Sequence, residues 1–215
     1  MDAAMLLLWY TYLLWGYPYN NEGKICAWYW ICGLQANYVY WDYLSYNERL
    51  IEITSGSFGE GLEMSGNDID RMYVLLDVRV YEDINKVPFN STEETPFAMD
   101  MDDCNLGFTH LRLVQCNHHH ILQCCKQIGN DYYLSNELLK TYLISNSQRH
   151  GNPYHVHGPC LSDKNNVVDH AICFHSRQWI SPAYKWVTRH NTSWPSSELK
   201  SNIIVNGVIF FVHII

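Results

Sequence analysis

Between Ser55 and Met72 the chain reads SGSFGEGLEMSGNDIDRM, which sets a Gly-Ser turn ahead of two carboxylates, Asp68 and Asp70, separated by one apolar residue. Before it, Ile51, Ile53 and Ser55 alternate with Glu52 and Thr54 until Gly56 breaks the run, so a strand is expected to enter a tight turn. After it, Asn67 to Leu76 is rich in β-prone residues, with Ile69, Met72, Tyr73, Val74, Leu75 and Leu76 supplying the apolar content. Residues two apart on a strand share a face, so Asp68 and Asp70 are expected to project together while Ile69 points into the core. A glycine turn lets backbone N–H groups approach phosphate oxygens, and the Ser57 hydroxyl can add one more donor. Phosphoryl and nucleotidyl transfer use such a cradle with cations, often two of them about 3.5–4 Å apart. Mg2+ or Mn2+ prefers the hard oxygens that Asp68 and Asp70 offer.

A second acidic pair, Asp100 and Asp102, has the same spacing. It leads into an ordinary polar turn and not away from a strand and Gly-Ser turn, so the expectation there is a solvated loop. Asp169 is different again, a lone acid in the apolar segment Val167 to Phe174. Burial of such a group is costly without a cation or a donor, and a strand-start carboxylate facing water is the competing reading.

The remaining signals place the other elements. Phe97 to Met101 and Phe108 to Val114 read as two strands joined by a polar turn, Val167 to Phe174 as another strand, and Ile203 to Ile215 as a last apolar run. Leu134, Leu138, Leu139 and Tyr142 have helical spacing, with Ser135 as a candidate N-cap. Asn85 to Pro96 and Ser145 to Pro153 are the linker-like stretches, and no internal repeat stands out.

With 215 residues the chain can bury one substantial core. Residues 1–45 are heavy in Trp and Tyr, carry Lys24 as their single Lys and no Arg, and show no clear period, so they are set apart from residues 46–215 as an atypical extension. They suit a packed apolar cap, a membrane-touching segment or sequence foreign to the core domain. The apolar run Ala3 to Trp15 is too short to span a bilayer and lacks a basic flank, so membrane association is not expected and the expected compartment is the cytoplasm. A net charge of -8 argues against a surface given over wholly to nucleic acid. The eight cysteines are too sparse for a secreted disulfide scaffold and read as reduced thiols.

Gly56-Ser57 followed by Asp68-Ile69-Asp70 resembles the signature of the nucleotidyltransferase superfamily. The fuller string SGSFGEGLEMSGNDID, with His157 to Lys164 (HGPCLSDK), Trp179, Trp186 and Ser193-Trp194-Pro195, is similar to the male-abnormal twenty-one family, which includes cyclic GMP-AMP synthase and its receptor-like relatives. The resemblance runs from about Thr54 to Val212. It implies an α+β fold with a nucleotidyltransferase-type mixed sheet and flanking helices, and a metal site of three carboxylates, the third carried over onto Asp169. Implied partners are nucleoside triphosphates, ATP and GTP, with double-stranded RNA as a candidate activator. Long DNA is not expected, because Tyr and Trp stand where a DNA-binding relative carries basic residues. The resemblance also calls for a helical lobe after the strands, where this chain reaches Ile215, so a fragment or truncated member with weak turnover is expected. Arg71 departs from the apolar residue usual after the second acid and is expected to reach Asp68 or Asp70 and compete with metal.

His118-His119-His120 with Cys124-Cys125 matches the opening of a zinc insertion in cyclic GMP-AMP synthase, but the order relative to Asp169 is wrong, and Tyr132 stands where a further Cys belongs. Loop histidines and buried thiols are expected instead, and His155, His157 and Cys160 are read as structural. No Gly-x-Ser-x-Gly elbow, Walker loop or dinucleotide fingerprint occurs. Two classes follow: an enzyme joining nucleoside triphosphates, or a catalytically silent module that binds or scaffolds.

Overall fold

A computed structural model describes residues 4–6, 50–55, 69–88, 93–102, 104–105, 107–149, 153–158, 160–188 and 197–212. The strands are β1 (Ala4–Leu6), β2 (Leu50–Ser55), β3 (Ile69–Tyr81), β4 (Thr95–Asp100), β5 (Phe108–Leu113), β6 (Cys125–Ile128), β7 (Asp131–Leu134), β8 (His155–His157), β9 (Cys160–Ser162), β10 (Val168–Ser176) and β11 (Val208–Phe211). The helices are α1 (His119–Leu122), α2 (Asn136–Arg149), α3 (Tyr184–Val187) and α4 (Ser197–Asn206). The class is α+β and strand-rich, with a mixed sheet. Among the described residues no helix is long and apolar enough to cross a membrane.

All these strands belong to one sheet, in the order β2-β3-β4-β5-β1-β11-β10-β9-β8, with β7 joined to β5 and β6. A further pairing of β3 with β10 closes six of them into a ring. Around that ring β3 runs parallel to both β4 and β10, and the other neighbours are antiparallel. Of residues 1–45, the described Ala4–Leu6 fills the gap between β5 and β11.

Alternation along β10 and β11 sorts the core onto two faces. Phe174, Val208 and Phe210 join Val78, Val80, Phe97 and Leu111 on one face, where Ile121 of α1, Leu139 of α2 and Ile180 also pack. Ala171, Cys173, Ile209 and Phe211 join Ile53, Met72 and Val74 on the other. Burying a side chain such as Phe174 or Phe210 on the first face, or Phe211 on the second, is worth roughly 1.5–3 kcal/mol, so both faces contribute to holding the ring closed.

Residues β3 contributes to the two faces share one parity, Met72 and Val74 against Val78 and Val80, and an irregular register explains this. From Cys173 to His175 β10 advances two residues, while β3 advances five, from Val74 to Arg79. The three residues of excess turn β3 over, because an odd slip exchanges the faces of a strand.

Two expected boundaries shift. The stretch Ser145 to Arg149, read as linker, is the last part of α2. Its polar side chains fit a helix because the Ser145 and Ser147 hydroxyls donate back to the carbonyls of Thr141 and Ile144. The apolar run from Ile203 is split between α4 and β11 by Gly207, whose φ of 84° only glycine takes readily. A Cβ there would also collide with the Ser176 carbonyl oxygen.

Candidate functional site

Asp70 on β3 and Asp169 on β10 are register partners in the parallel ladder, although 99 positions separate them in the chain. Neighbouring strands lie about 4.8 Å apart, and partners in register project to the same face. The row continues outward in both directions. Ser55 of β2 pairs with Asp70, Ser162 of β9 pairs with Asp169, and His155 of β8 pairs with Ser162. Asp68, Gly56 and Ser57 lie outside the described residues.

Local sequence explains the register of β9 against β10. The turn between them is organised by Asp163, whose carboxylate accepts from the backbone N–H groups of Asn165, Val167 and Val168. Those bonds, led by the one from Val168, hold the Asp163 carboxyl below its usual range. Asn166 takes the left-handed conformation at φ 53°, which Asn tolerates better than most residues. The turn thereby brings Ser162 opposite Asp169.

Asp169 is largely buried, and its carboxylate meets a histidine. Nδ1 of His157 lies 3.2 Å from Oδ1 and 3.0 Å from Oδ2. An ionised carboxylate has no proton to give, so Nδ1 carries the hydrogen and donates. Beside this pair the Ser162 hydroxyl is buried and, among the described residues, has no hydrogen-bond partner. Across the row, Ser55 Oγ donates to the Asp70 carbonyl at 3.3 Å.

On the opposite face of the same strands the chemistry differs. Arg71 was expected to reach Asp68 or Asp70, but consecutive strand residues point to opposite sides, and the Arg71 guanidinium pairs with Glu52 on β2. His170 Nδ1 and the Tyr73 hydroxyl are 3.1 Å apart, and the Tyr154 ring packs at 4.5 Å from the His170 ring. Burial, with the Arg71 charge second, pushes the His170 imidazole below its ordinary pKa. The guanidinium is thus held away from the acidic row.

In donor class the row offers a divalent cation two carboxylates from neighbouring strands, with the orphaned Ser162 hydroxyl on the same face; among the described residues no group of three or more His, Cys, Asp or Glu is placed to hold a metal ion. The other candidate groups are placed elsewhere. Asp100 accepts from the Tyr133 hydroxyl at 2.9 Å and from the Asp102 backbone at 3.2 Å, with Asp102 exposed. Cys124 and Cys125 donate to the carbonyls of His120 and Ile121, and burial pushes their thiols up to about 11 and about 12. His120 Nε2 donates to Asp77 at 3.0 Å, and His118 lies 3.0 Å from the Thr95 hydroxyl.

From the sequence, His157 reads as structural. The signal was there, a period-two His-x-His run before Gly158 and Pro159, but the run is short and polar and does not read as a strand. Searches of known proteins add nothing to the geometry: no protein-family model matches the chain, and no curated protein matches it.

Proposed function

We propose that the chain is a nucleotidyltransferase-type domain of the male-abnormal twenty-one kind, which binds nucleoside triphosphates with Mg2+ or Mn2+ at Asp68, Asp70 and Asp169. One observation carries this reading, the parallel register that sets Asp70 beside Asp169. Two hard carboxylate donors on neighbouring strands are a pair that a divalent cation can take up. When bound, the metal would supply charge neutralisation for the triphosphate. In this reading Asp70 and Asp169 orient the ion, Gly56 and Ser57 contribute donors to phosphate oxygens, and Asp169 helps position an attacking ribose hydroxyl. The cytoplasm is the compartment that suits this chemistry.

The experiment is thermal unfolding of the purified chain with ATP or GTP and Mn2+, beside an Asp70→Asn/Asp169→Asn variant. Ligand at about 100 times its Kd stabilises a fold by roughly 2.7 kcal/mol, a readily measured upward shift in Tm. A shift that requires both nucleotide and metal, and is lost in the variant, is expected. A folded wild-type chain with no shift would sink the reading. Product assays in the same samples, with and without double-stranded RNA or DNA, address catalysis.

A further inference from the structure

The β8–β9 hairpin is pinned from two sides. At its turn, the Gly158 carbonyl accepts from Lys140 Nζ of α2 at 3.0 Å, and Lys140 is itself buried. Along its strands, β9 is fixed to β10 by the Asp163 turn described above. Between these anchors stands His157, with its ring more than half exposed and its Nδ1 against both oxygens of a carboxylate that is only 12% exposed. An exposed histidine gains little from burial, so its fixed geometry points to what it does for Asp169. A hydrogen bond from Nδ1–H restricts the carboxylate to one rotamer and offsets part of the cost of burying it ionised.

We propose that His157 is a positioning residue for the cation site, holding the Asp169 carboxylate ready beside Asp70. This rests on the reading of Asp70 and Asp169 as metal ligands. Outer-shell donors of this kind typically change metal affinity by about 10–100-fold when removed. The role requires only a donor at the Nδ1 position. Asn places its amide N–H close to that position, whereas Gln carries it one bond too far.

The test is Mn2+ affinity of the full chain, read from the electron paramagnetic resonance signal of free Mn2+, with no nucleotide present. Wild type, His157→Ala, His157→Asn, His157→Gln and the single variants Asp70→Asn and Asp169→Asn are compared after melting curves confirm that each is folded. His157→Ala and His157→Gln are expected to lose about 10-fold in affinity, while His157→Asn stays near wild type. Equal loss in the Asn and Ala variants, or unchanged affinity in the Ala variant, would overturn the role of His157 while the aspartate variants still bind weakly. If neither aspartate variant weakens Mn2+ binding, the metal reading itself fails, and the role of His157 with it.

Discussion

Strands β3 and β10 lie side by side, and their two ends treat charge in opposite ways. At one end Asp70 faces Asp169, like beside like. At the other, Arg79 faces His175, and the surrounding groups balance the charge. Arg79 Nε donates to Glu94 at 3.0 Å, its Nη2 also pairs with Glu94, and its Nη1 donates to His175 Nδ1 at 2.9 Å. His175 Nε2 in turn donates to the Asn206 carbonyl at 2.7 Å, which fixes the neutral tautomer. Burial alone would raise Glu94, but the Arg79 hydrogen bond and the charges of Arg79 and Arg177 outweigh it, and the carboxyl lies below its usual value. Six residues of β10, about 20 Å, separate the two ends along one face. A balanced buried network stabilises; an acid pair set in register is, on the proposed reading, a place where a cation binds.

The sharpest way to break this contrast is Arg79→Ala. It removes a buried guanidinium, leaving half-buried Glu94 with the exposed Arg177 and His175 with the Asn206 carbonyl, and removing one partner of a buried pair costs up to about 3–5 kcal/mol. Urea unfolding should show that loss; a change under about 1 kcal/mol would mean the network is ornamental.

Next comes pH. Burial first, and the nearby Arg79 charge among the lesser causes, lower His175 from 6.5 to about 4. Between those values the unfolded chain holds the extra proton, so the stability His175 contributes is present above about pH 6.5 and lost as pH falls toward 4. At 1.36 kcal/mol per unit the loss is on the order of 3 kcal/mol. Stability measured across this window should fall in wild type and fall less in His175→Gln.

At the acidic end the sign reverses. In EDTA, Asp70→Asn/Asp169→Asn is expected to leave stability unchanged or raise it by up to about 1 kcal/mol, because a like-charge neighbour has been removed. A loss of several kcal/mol would show that these acids are structural after all. The smallest effect belongs to Arg177→Ala. Its guanidinium is 70% exposed where it meets Glu94, so its ion pair contributes on the order of 0.5 kcal/mol or less.

What the sequence revealed follows the range of the forces involved. The alternation from Leu50 to Ser55 is a local signal and corresponds to β2, and Ser135 caps α2 by accepting from the Leu138 backbone at 3.3 Å. The β-prone stretch Asn67 to Leu76 located the start of β3, but the strand runs on to Tyr81 through Asp77 and Arg79, whose charges hide it until their distant partners are known. The short hairpin Cys125 to Leu134 and the β8–β9 hairpin were missed, since exposed polar strands carry little periodic signal. At the candidate site, Asp70 and Asp169 were legible as residue types, whereas their adjacency depends on pairing between distant strands. The local mark of His157, a short His-x-His run, does not say what it touches; only the folded hairpin shows that.

The slip between Val74 and Arg79 has one more consequence, for how this chain can vary in length. Its three surplus residues form an odd number, and only an odd number leaves Val78 and Val80 on the opposite side from Val74. Deleting one residue there would rotate everything downstream by half a turn, turning Arg79 into the larger core and its valines out of it. Deleting two would preserve every orientation. The segment therefore behaves as a parity lock, through which insertions and deletions can pass only in pairs.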